Sequence, residues 1–133
     1  MILHTDGGAR GNPGPGAIGA VLSTNSGELI AEKGNYLGAC TNNEAEYHGL
    51  ILGLTMALEQ DDKDLSCYLD SELVVKQLNG VYKVKNERMA VLHTKVMNLA
   101  QNFDSVTFNH VPRAKNKRAD QIVNDVLDSA MTA

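Results

Sequence analysis

The chain opens with an apolar run that ends in an acid and two glycines, MILHTDGG (residues 1–8). A second run of the same kind, DLSCYLDS (residues 64–71), carries Asp70 at its end. Short apolar runs bounded by glycine, serine or acids are typical of buried strands. A carboxylate at the end of such a strand is costly to bury unless a cation or hydrogen bonds compensate for its charge. The two runs therefore predict two core strands, with functional acids, Asp6 and Asp70, at the ends of their apolar runs.

The remaining patterns predict an α/β fold. The predicted strands cover residues 1–10, 17–24, 28–39, 64–70 and 106–111, and the predicted helices cover residues 41–60, 71–78, 87–102 and 115–130. Short turns join the first three strands, which should pair antiparallel. Strands 4 and 5 follow helices and should run parallel to strand 1, which gives a mixed five-stranded sheet flanked by helices. A right-handed crossover places strand 4 beside strand 1, so Asp6 and Asp70 should meet where ligands bind such sheets.

The composition indicates a single domain over residues 1–133. Apolar residues make up 43% of the chain, which argues against disorder. The chain has no run of about 18 apolar residues and no charged-then-apolar leader, so we expect no membrane span and a cytoplasmic location. The net charge of −4 is unusual for a domain that binds nucleic acid. Basic residues nevertheless cluster in the second half, at Lys83, Lys85, Arg88, Lys95, Arg113, Lys115, Lys117 and Arg118.

Further acids lie near the starts of predicted helices. Asp120 follows the basic stretch 115–118. In the first long helix, Thr41 and Glu44 form a capping-box pattern. Glu44 and Glu46 both flank the apolar stripe of that helix, so its periodicity does not distinguish between them. Clustered carboxylates are typical ligands of hard divalent cations, and the sequence therefore predicts a metal site. Its ligands would be Asp6, Asp70, Asp120 and one of the two glutamates.

Four segments together resemble type 1 ribonuclease H. They are TDGGARGNPGPG (5–16), TNNEAEY (41–47), LDSELV (69–74) and HVPRAKNKRAD (110–120), and the match covers essentially the whole chain. The resemblance implies a ribonuclease H-like fold and an endonuclease that hydrolyses the RNA strand of RNA–DNA hybrids, leaving 5′-phosphate and 3′-hydroxyl ends. It also implies two Mg²⁺ or Mn²⁺ ions, which activate water and stabilise the leaving oxygen. The metal ligands that it implies are Asp6, Glu46, Asp70 and Asp120, so it favours Glu46 over Glu44.

The resemblance also implies residues that contact nucleic acid, through 2′-hydroxyl groups of the RNA or through phosphates. The matching positions are Gly7, Asn12, Thr41, Asn42, Asn43, Ser71 and Glu72. Many members carry a basic helix and loop after the third acid, but here Leu78-Asn79-Gly80 leads directly into Val81. The chain therefore resembles the compact members, with Lys83 and Lys85 as a modest substitute. The expected partner is an RNA–DNA hybrid, and the expected state is a monomer.

Many members also carry a histidine just before the last acid, where it assists product release. An ungapped count places His110 at that position, but His110 lies inside the predicted fifth strand, which favours a structural role. Arg113, in the short loop 112–114, is the better candidate for a catalytic side chain because it can contact phosphate. A second hypothesis is a non-catalytic nucleic-acid-binding or interaction module that retains the fold. The acidic charge and the missing basic segment favour it.

Overall fold

The computed structural model describes residues 1–131. The strands are β1 (Ile2–Ala9), β2 (Gly14–Ser23), β3 (Leu29–Cys40), β4 (Asp64–Leu69) and β5 (Ser105–His110), in the sheet order β3-β2-β1-β4-β5. The helices are α1 (Asn42–Leu58), α2 (Glu72–Leu78), α3 (Glu87–Ala100) and α4 (Lys117–Met131), with a 3-10 turn at Arg113–Lys115. β1 and β3 are antiparallel to β2, whereas β4 is parallel to β1 and β5 is parallel to β4. The predicted mixed sheet is confirmed.

Strand β1 extends past Asp6 to Ala9, close to the predicted end at residue 10. Asp6 pairs with Gly19, and the antiparallel ladder continues to the pair of Ala9 with Gly16. The parallel ladder between β1 and β4 stops earlier, at the pair of His4 with Tyr68. Asp6 and Asp70 each lie two residues beyond that last pair and are therefore level with each other. Beyond His4, β1 is held by β2 alone, which leaves room for a site beside Asp6.

Helix α1 is buried between the sheet and α3, so its apolar surface is wider than the one stripe that the sequence suggests. It begins with the predicted capping box. The Glu44 N–H donates to Thr41 Oγ1 at 3.2 Å, and the Thr41 N–H donates to Glu44 Oε1 at 3.1 Å. Arg88 of α3 forms a further 2.9 Å ion pair with Glu44. The Glu44 side chain is therefore engaged at the start of α1, whereas the Glu46 side chain takes no part in the cap.

The backbones of α1 and β1 touch at two glycines. A Cβ atom on Gly7 would lie 2.2 Å from the carbonyl carbon and oxygen of Ala45, and one on Gly49 would lie 2.7 Å from the carbonyl oxygen of Asp6. Because only glycine permits so close an approach, these two positions set the distance between helix and strand. That short distance brings Glu46 to Asp6.

Helix α4 covers the opposite face of β1, β2 and β3. Its buried side chains are Ala119, Ile122, Val123 and Leu127, whereas Val126 is half-buried. The 3-10 turn precedes the helix, so α4 begins two residues later than predicted, at Lys117. Helix α4 does not extend over β4 and β5. On the same face of the sheet, every second residue of these two strands is therefore at least partly exposed. These residues include Ser66, Tyr68, Thr107 and Asn109.

Strand β3 forms one edge of the sheet and is irregular. Along β2, Gly16 pairs with Gly38 but Ala17 pairs with Tyr36, so Leu37 is an extra residue. A second shift lies between Leu22 and Ser23 and makes Ile30 an extra residue. Both are bulges, which bend a strand and interrupt its ladder.

No helix within residues 1–131 combines the length and apolar character that a membrane crossing requires. Cys40 and Cys67 are buried free thiols.

Candidate metal centre

Three carboxylates from different elements meet at the end of the parallel ladder. Asp6 comes from β1, Glu46 from the second turn of α1, and Asp70 follows the last residue of β4. One oxygen of each lies within 4.8 Å of the others. Asp6 and Glu46 are buried and Asp70 is half-buried. The structure thus brings together three of the four acids that were predicted to bind metal.

One backbone amide holds two of these acids. The Gly7 N–H donates to Asp6 Oδ1 at 2.9 Å and to Glu46 Oε1 at 2.8 Å. Glu46 Oε2 is buried and has no hydrogen-bond partner among the described residues. A buried carboxylate oxygen without a partner is costly, so this atom points to a ligand that completes the site.

Burial and mutual repulsion perturb both acids. The pKa of Asp6 is raised to about 7, first by burial and then by the nearby Asp70 and Asp120, against a hydrogen bond with Glu46 that lowers it. The pKa of Glu46 is raised well above its ordinary value, first by burial and then by Asp6. Clustered carboxyls without a counter-charge retain protons because their ionised forms repel one another. A bound cation would displace those protons.

Asp120 and Arg113 complete the wall of the cleft. The cleft has a volume of about 300 Å³ and is lined by Asp6, Gly7, Glu46, Asp70, Arg113 and Asp120. Asp120 lies outside the group of three acids, and its Oδ1 accepts a hydrogen bond from Arg113 Nη2 at 3.1 Å. The Arg113 side chain is 74% exposed. It therefore adds the only positive charge among these lining residues while remaining open to solvent.

The donor set suits a hard divalent cation. Carboxylate oxygens are the ligands that Mg²⁺ and Mn²⁺ prefer, and the partnerless Glu46 Oε2 supplies a free donor atom. Asp6, Glu46 and Asp70 would hold such an ion, with Asp120 beside them. The residues present fit the metal dependence that the sequence implies.

Comparison with known proteins places the chain in a family. Residues 4–126 match the family described as reverse transcriptase-like. The chain is 42% identical over 127 residues to ribonuclease HI of Halobacterium salinarum, which covers 96% of this chain and 64% of that protein. It belongs to the type 1 ribonuclease H family. It is also 40% identical to a bifunctional protein of Mycobacterium tuberculosis over 98% of this chain, although it spans only 36% of that protein's length.

Solved structures confirm the ribonuclease H fold. RNase H1 of Halobacterium salinarum matches with a TM-score of 0.93 at 40% identity, covering 96% of this chain and 97% of that one. LC11-RNase H1, solved in complex with an RNA/DNA hybrid, matches with a TM-score of 0.91 at 40% identity, covering 98% of both chains. Both likenesses extend over nearly the full length of the solved chains. The similarity therefore concerns the whole ribonuclease H domain.

Four of the nine predicted nucleic-acid contacts of this ribonuclease H family member, Asn12, Thr41, Asn42 and Asn43, lie around the start of α1. The Asn42 N–H donates to Asn12 Oδ1 at 3.0 Å, and the Ala9 N–H donates to Asn42 Oδ1 at 2.8 Å. These bonds tie the β1–β2 turn to the helix start, next to Thr41. Asn12, Asn42 and Asn43 are exposed. Their arrangement is compatible with a phosphate contact, which remains a prediction.

The remaining predicted contacts lie elsewhere. Ser71 caps α2 by accepting a hydrogen bond from the Val74 N–H at 3.3 Å, and Glu72 pairs with Lys76 at 2.7 Å. Lys83 and Lys85 are exposed in the loop between α2 and α3 and do not line the cleft.

The structure adds to what was predicted for two residues. Gly7 was predicted to contact nucleic acid, which stays a prediction, and its amide is bound to Asp6 and Glu46 while a Cβ atom there would meet the Ala45 backbone. The two consecutive glycines after Asp6 were the sequence signal for a close approach, but they do not show which neighbouring group approaches. His110 was predicted to have a structural role inside the fifth strand. It is the last residue of β5 and is exposed, which does not favour that role.

Proposed function

We propose that this protein is a metal-dependent endoribonuclease that hydrolyses the RNA strand of RNA–DNA hybrids and leaves 5′-phosphate and 3′-hydroxyl ends. The observation that carries the proposal is the group of Asp6, Glu46 and Asp70, of which the first two are buried and each contributes an oxygen within 4.8 Å of the others. Two of these acids have raised pKa values, first of all because of burial. Membership of the ribonuclease H family, which includes a relative solved with an RNA/DNA hybrid, supports the substrate class.

The protein's contribution to the reaction is preorganisation. The Gly7 amide fixes the orientations of Asp6 and Glu46 before any ligand arrives. When bound by Asp6, Glu46, Asp70 and Asp120, two Mg²⁺ or Mn²⁺ ions would supply an activated water and stabilisation of the leaving 3′-oxygen. Arg113 faces the same cleft and is free to bind a non-bridging oxygen of the scissile phosphate. Asp120, hydrogen-bonded to Arg113, would orient both that side chain and water.

We further propose how the hybrid is held. Asn12, Thr41, Asn42 and Asn43 would bind a phosphate of the DNA strand near the α1 start, and Ser71 and Glu72 would contact the RNA beside Asp70. Lys83 and Lys85 would add long-range attraction. Sequence preference should be slight, because sugar and phosphate contacts carry no base information. We expect the domain over residues 1–133 to act as a monomer in the cytoplasm.

Cleavage of labelled nucleic acids tests the proposal directly. An RNA–DNA hybrid, duplex RNA, duplex DNA and both single strands are incubated with Mg²⁺ or Mn²⁺, and the products are resolved on denaturing gels. The expected result is cleavage of the RNA in the hybrid alone. Tight hybrid binding without cleavage in either metal would instead favour a non-catalytic binding module, which the acidic charge and missing basic segment also suit.

A further inference from the structure

A second cavity lies beside the metal centre on the α4 side of the sheet. Its volume is about 130 Å³, and His4, Lys115, Asn116 and Lys117 are among its lining residues. His4 and Asp6 are alternate residues of β1 and face the same side, so they are separated by about 7 Å. The loop that carries Arg113 in the first cleft continues into the residues that line the second. The two cavities are therefore adjacent.

His4, one of the residues that line this cavity, belongs to an aromatic pair on the sheet. The rings of His4 and Tyr68 stack with centroids 5.3 Å apart and planes inclined by 20°. Asn109 pairs with Tyr68 across the β4–β5 ladder, and its Nδ2 donates to Cys67 O at 3.1 Å and to Thr107 Oγ1 at 3.0 Å. The row of His4, Tyr68 and Asn109 is therefore fixed by backbone ladders and side-chain hydrogen bonds. We call these three residues the platform.

Two lysines without ion pairs and a buried side-chain oxygen without a hydrogen-bond donor lie next to the platform. Lys115 and Lys117 are exposed and form no ion pair with any residue of 1–131, whereas Arg118 is neutralised by Glu32 at 2.9 Å. Asn116 is 1% exposed; its Nδ2 donates to Thr5 O at 2.8 Å, but its Oδ1 accepts no hydrogen bond within the described chain. A buried acceptor without a donor, next to two free cations, indicates a polar and anionic ligand.

We propose that the platform, with Lys115 and Lys117, binds single-stranded nucleic acid. Bases stack on aromatic side chains regardless of their identity, and lysines bind the phosphates that join them. In a duplex the base faces are already stacked on each other, so a stacking surface selects unpaired bases. The site would hold an unpaired strand that continues from a duplex lying at the metal centre. This goes beyond the proposed function, because such binding requires no cleavage.

Fluorescence anisotropy with a labelled 12-nucleotide single-stranded DNA tests the proposal in Mg²⁺ at low salt. DNA is the probe because a hybrid ribonuclease leaves it intact. We expect measurable binding by the wild type. Tyr68→Leu removes a stacking ring but keeps an apolar side chain against His4, and it should weaken binding by at least about fivefold, the lower range for one stacked base. The double variant Lys115→Gln/Lys117→Gln should show a comparable loss.

The matched control is Lys33→Gln/Lys95→Gln, which removes the same charge from exposed positions on β3 and α3. It should change the dissociation constant by less than twofold. Equal losses in the two double variants would mean that only net charge matters and would overturn the proposal, as would undetectable wild-type binding or an unaffected Tyr68→Leu variant.

Amide chemical shifts give a second readout that does not depend on variants folding. Addition of the same DNA to the wild type should shift the amides of His4, Tyr68 and Asn109 and leave α3 unchanged. Shifts confined to other elements would refute the platform. Cleavage of a blunt RNA–DNA hybrid, measured on the same wild-type sample, reports separately on the proposed function, since an active enzyme could lack the platform and an inactive one could retain it.

Discussion

At the scale of single residues, Asp6 has an unfavourable environment in the metal-free protein. It is 6% exposed, faces three other carboxylates across one cleft, and receives a hydrogen bond from the Gly7 amide. Its pKa of about 7 records that the ionised form is poorly compensated. An amide of the same shape would keep the packing and remove the charge. Replacing Asp6 by asparagine should therefore lower catalytic activity but raise the stability of the metal-free protein.

Asp6→Asn should reduce hybrid cleavage by more than about 100-fold, since even residues that merely support metal ligands contribute up to that much. Asp70→Asn should do the same. Asp120→Asn should be milder, because Asp120 lies outside the group of three acids and asparagine keeps an oxygen. Cleavage rates at saturating Mg²⁺ give the comparison, with the exposed Asp61→Asn as the control. Near-wild-type cleavage by Asp6→Asn would refute the metal assignment.

The raised pKa values also predict how metal-free stability depends on pH. Between pH 4 and 7 the unfolded chain has released the protons of Asp6 and Glu46, whereas the folded chain retains them. The folded state then binds more protons, so the free energy of unfolding should fall as pH rises through this window. Urea denaturation in a chelator measures this. In Asp6→Asn, the free energy of unfolding should decline less with pH. A free energy of unfolding that rises across the window would contradict the prediction.

Arg113 should affect turnover more than binding. Its guanidinium is exposed and 3.1 Å from Asp120, so it can stabilise charge that develops on phosphate in the transition state. Arg113→Ala should lower kcat by on the order of tenfold or more, with a smaller change in hybrid affinity. His110→Ala, at the exposed end of β5, should leave both kcat and Tm unchanged. Loss of turnover in His110→Ala with a silent Arg113→Ala would reverse the two roles.

At the scale of elements, the contact between β1 and α1 determines whether Glu46 reaches Asp6. A Cβ on Gly7 would meet the Ala45 carbonyl at 2.2 Å, whereas one on the neighbouring Gly8 would meet only Val123 Cγ1 at an ordinary 3.9 Å. Gly7→Ala should therefore destabilise the fold by about 3 kcal/mol or more. Gly8→Ala should stay within about 1 kcal/mol. Thermal and urea unfolding of the pair decide this, and equal stabilities would show that the helix can move away without cost.

The same elements show what the sequence could and could not predict. The α1 start was predicted because capping residues act locally: Thr41 and Glu44 bond each other across one turn. The point at which β1 leaves β4 but stays paired with β2 could not be predicted, because both ladders depend on partners defined by tertiary structure. The same holds for the Gly7 amide, whose two acceptors lie on different elements. Local chemistry and the meeting of Asp6 with Asp70 could be predicted, but the backbone contact between β1 and α1 could not.

At the scale of the whole molecule, charge limits how the substrate is bound. The net charge is −4, and the cleft itself contains one cation, Arg113, among its six lining residues. Lys83 and Lys85 lie outside it. A large basic surface of the kind that neutralises many phosphates is therefore not available at the metal centre. Hybrid binding should be weak and should depend only moderately on salt.

Binding of a hybrid in Ca²⁺, measured from 25 to 200 mM KCl, tests this expectation. Each neutralised phosphate contributes a slope of about −0.9 to log affinity against log salt in B-form DNA. We expect a slope shallower than about −5, which corresponds to fewer than six phosphates. The double variant Lys83→Gln/Lys85→Gln should make the slope of log affinity against log salt shallower still. The control variant Lys33→Gln should leave that slope unchanged. A steeper slope would require a cationic surface other than the one described.

The irregular outer strand has a consequence for behaviour at high concentration. A straight, unpaired strand at the edge of a sheet is a template on which a second molecule can add its own strand, the first step towards fibres. In β3 the extra residues Ile30 and Leu37 break the regular row of amides and carbonyls, and Glu32 and Lys33 place charges between them. The bulges therefore act as protection against self-assembly. Engineering that straightened this strand to gain stability would sacrifice solubility.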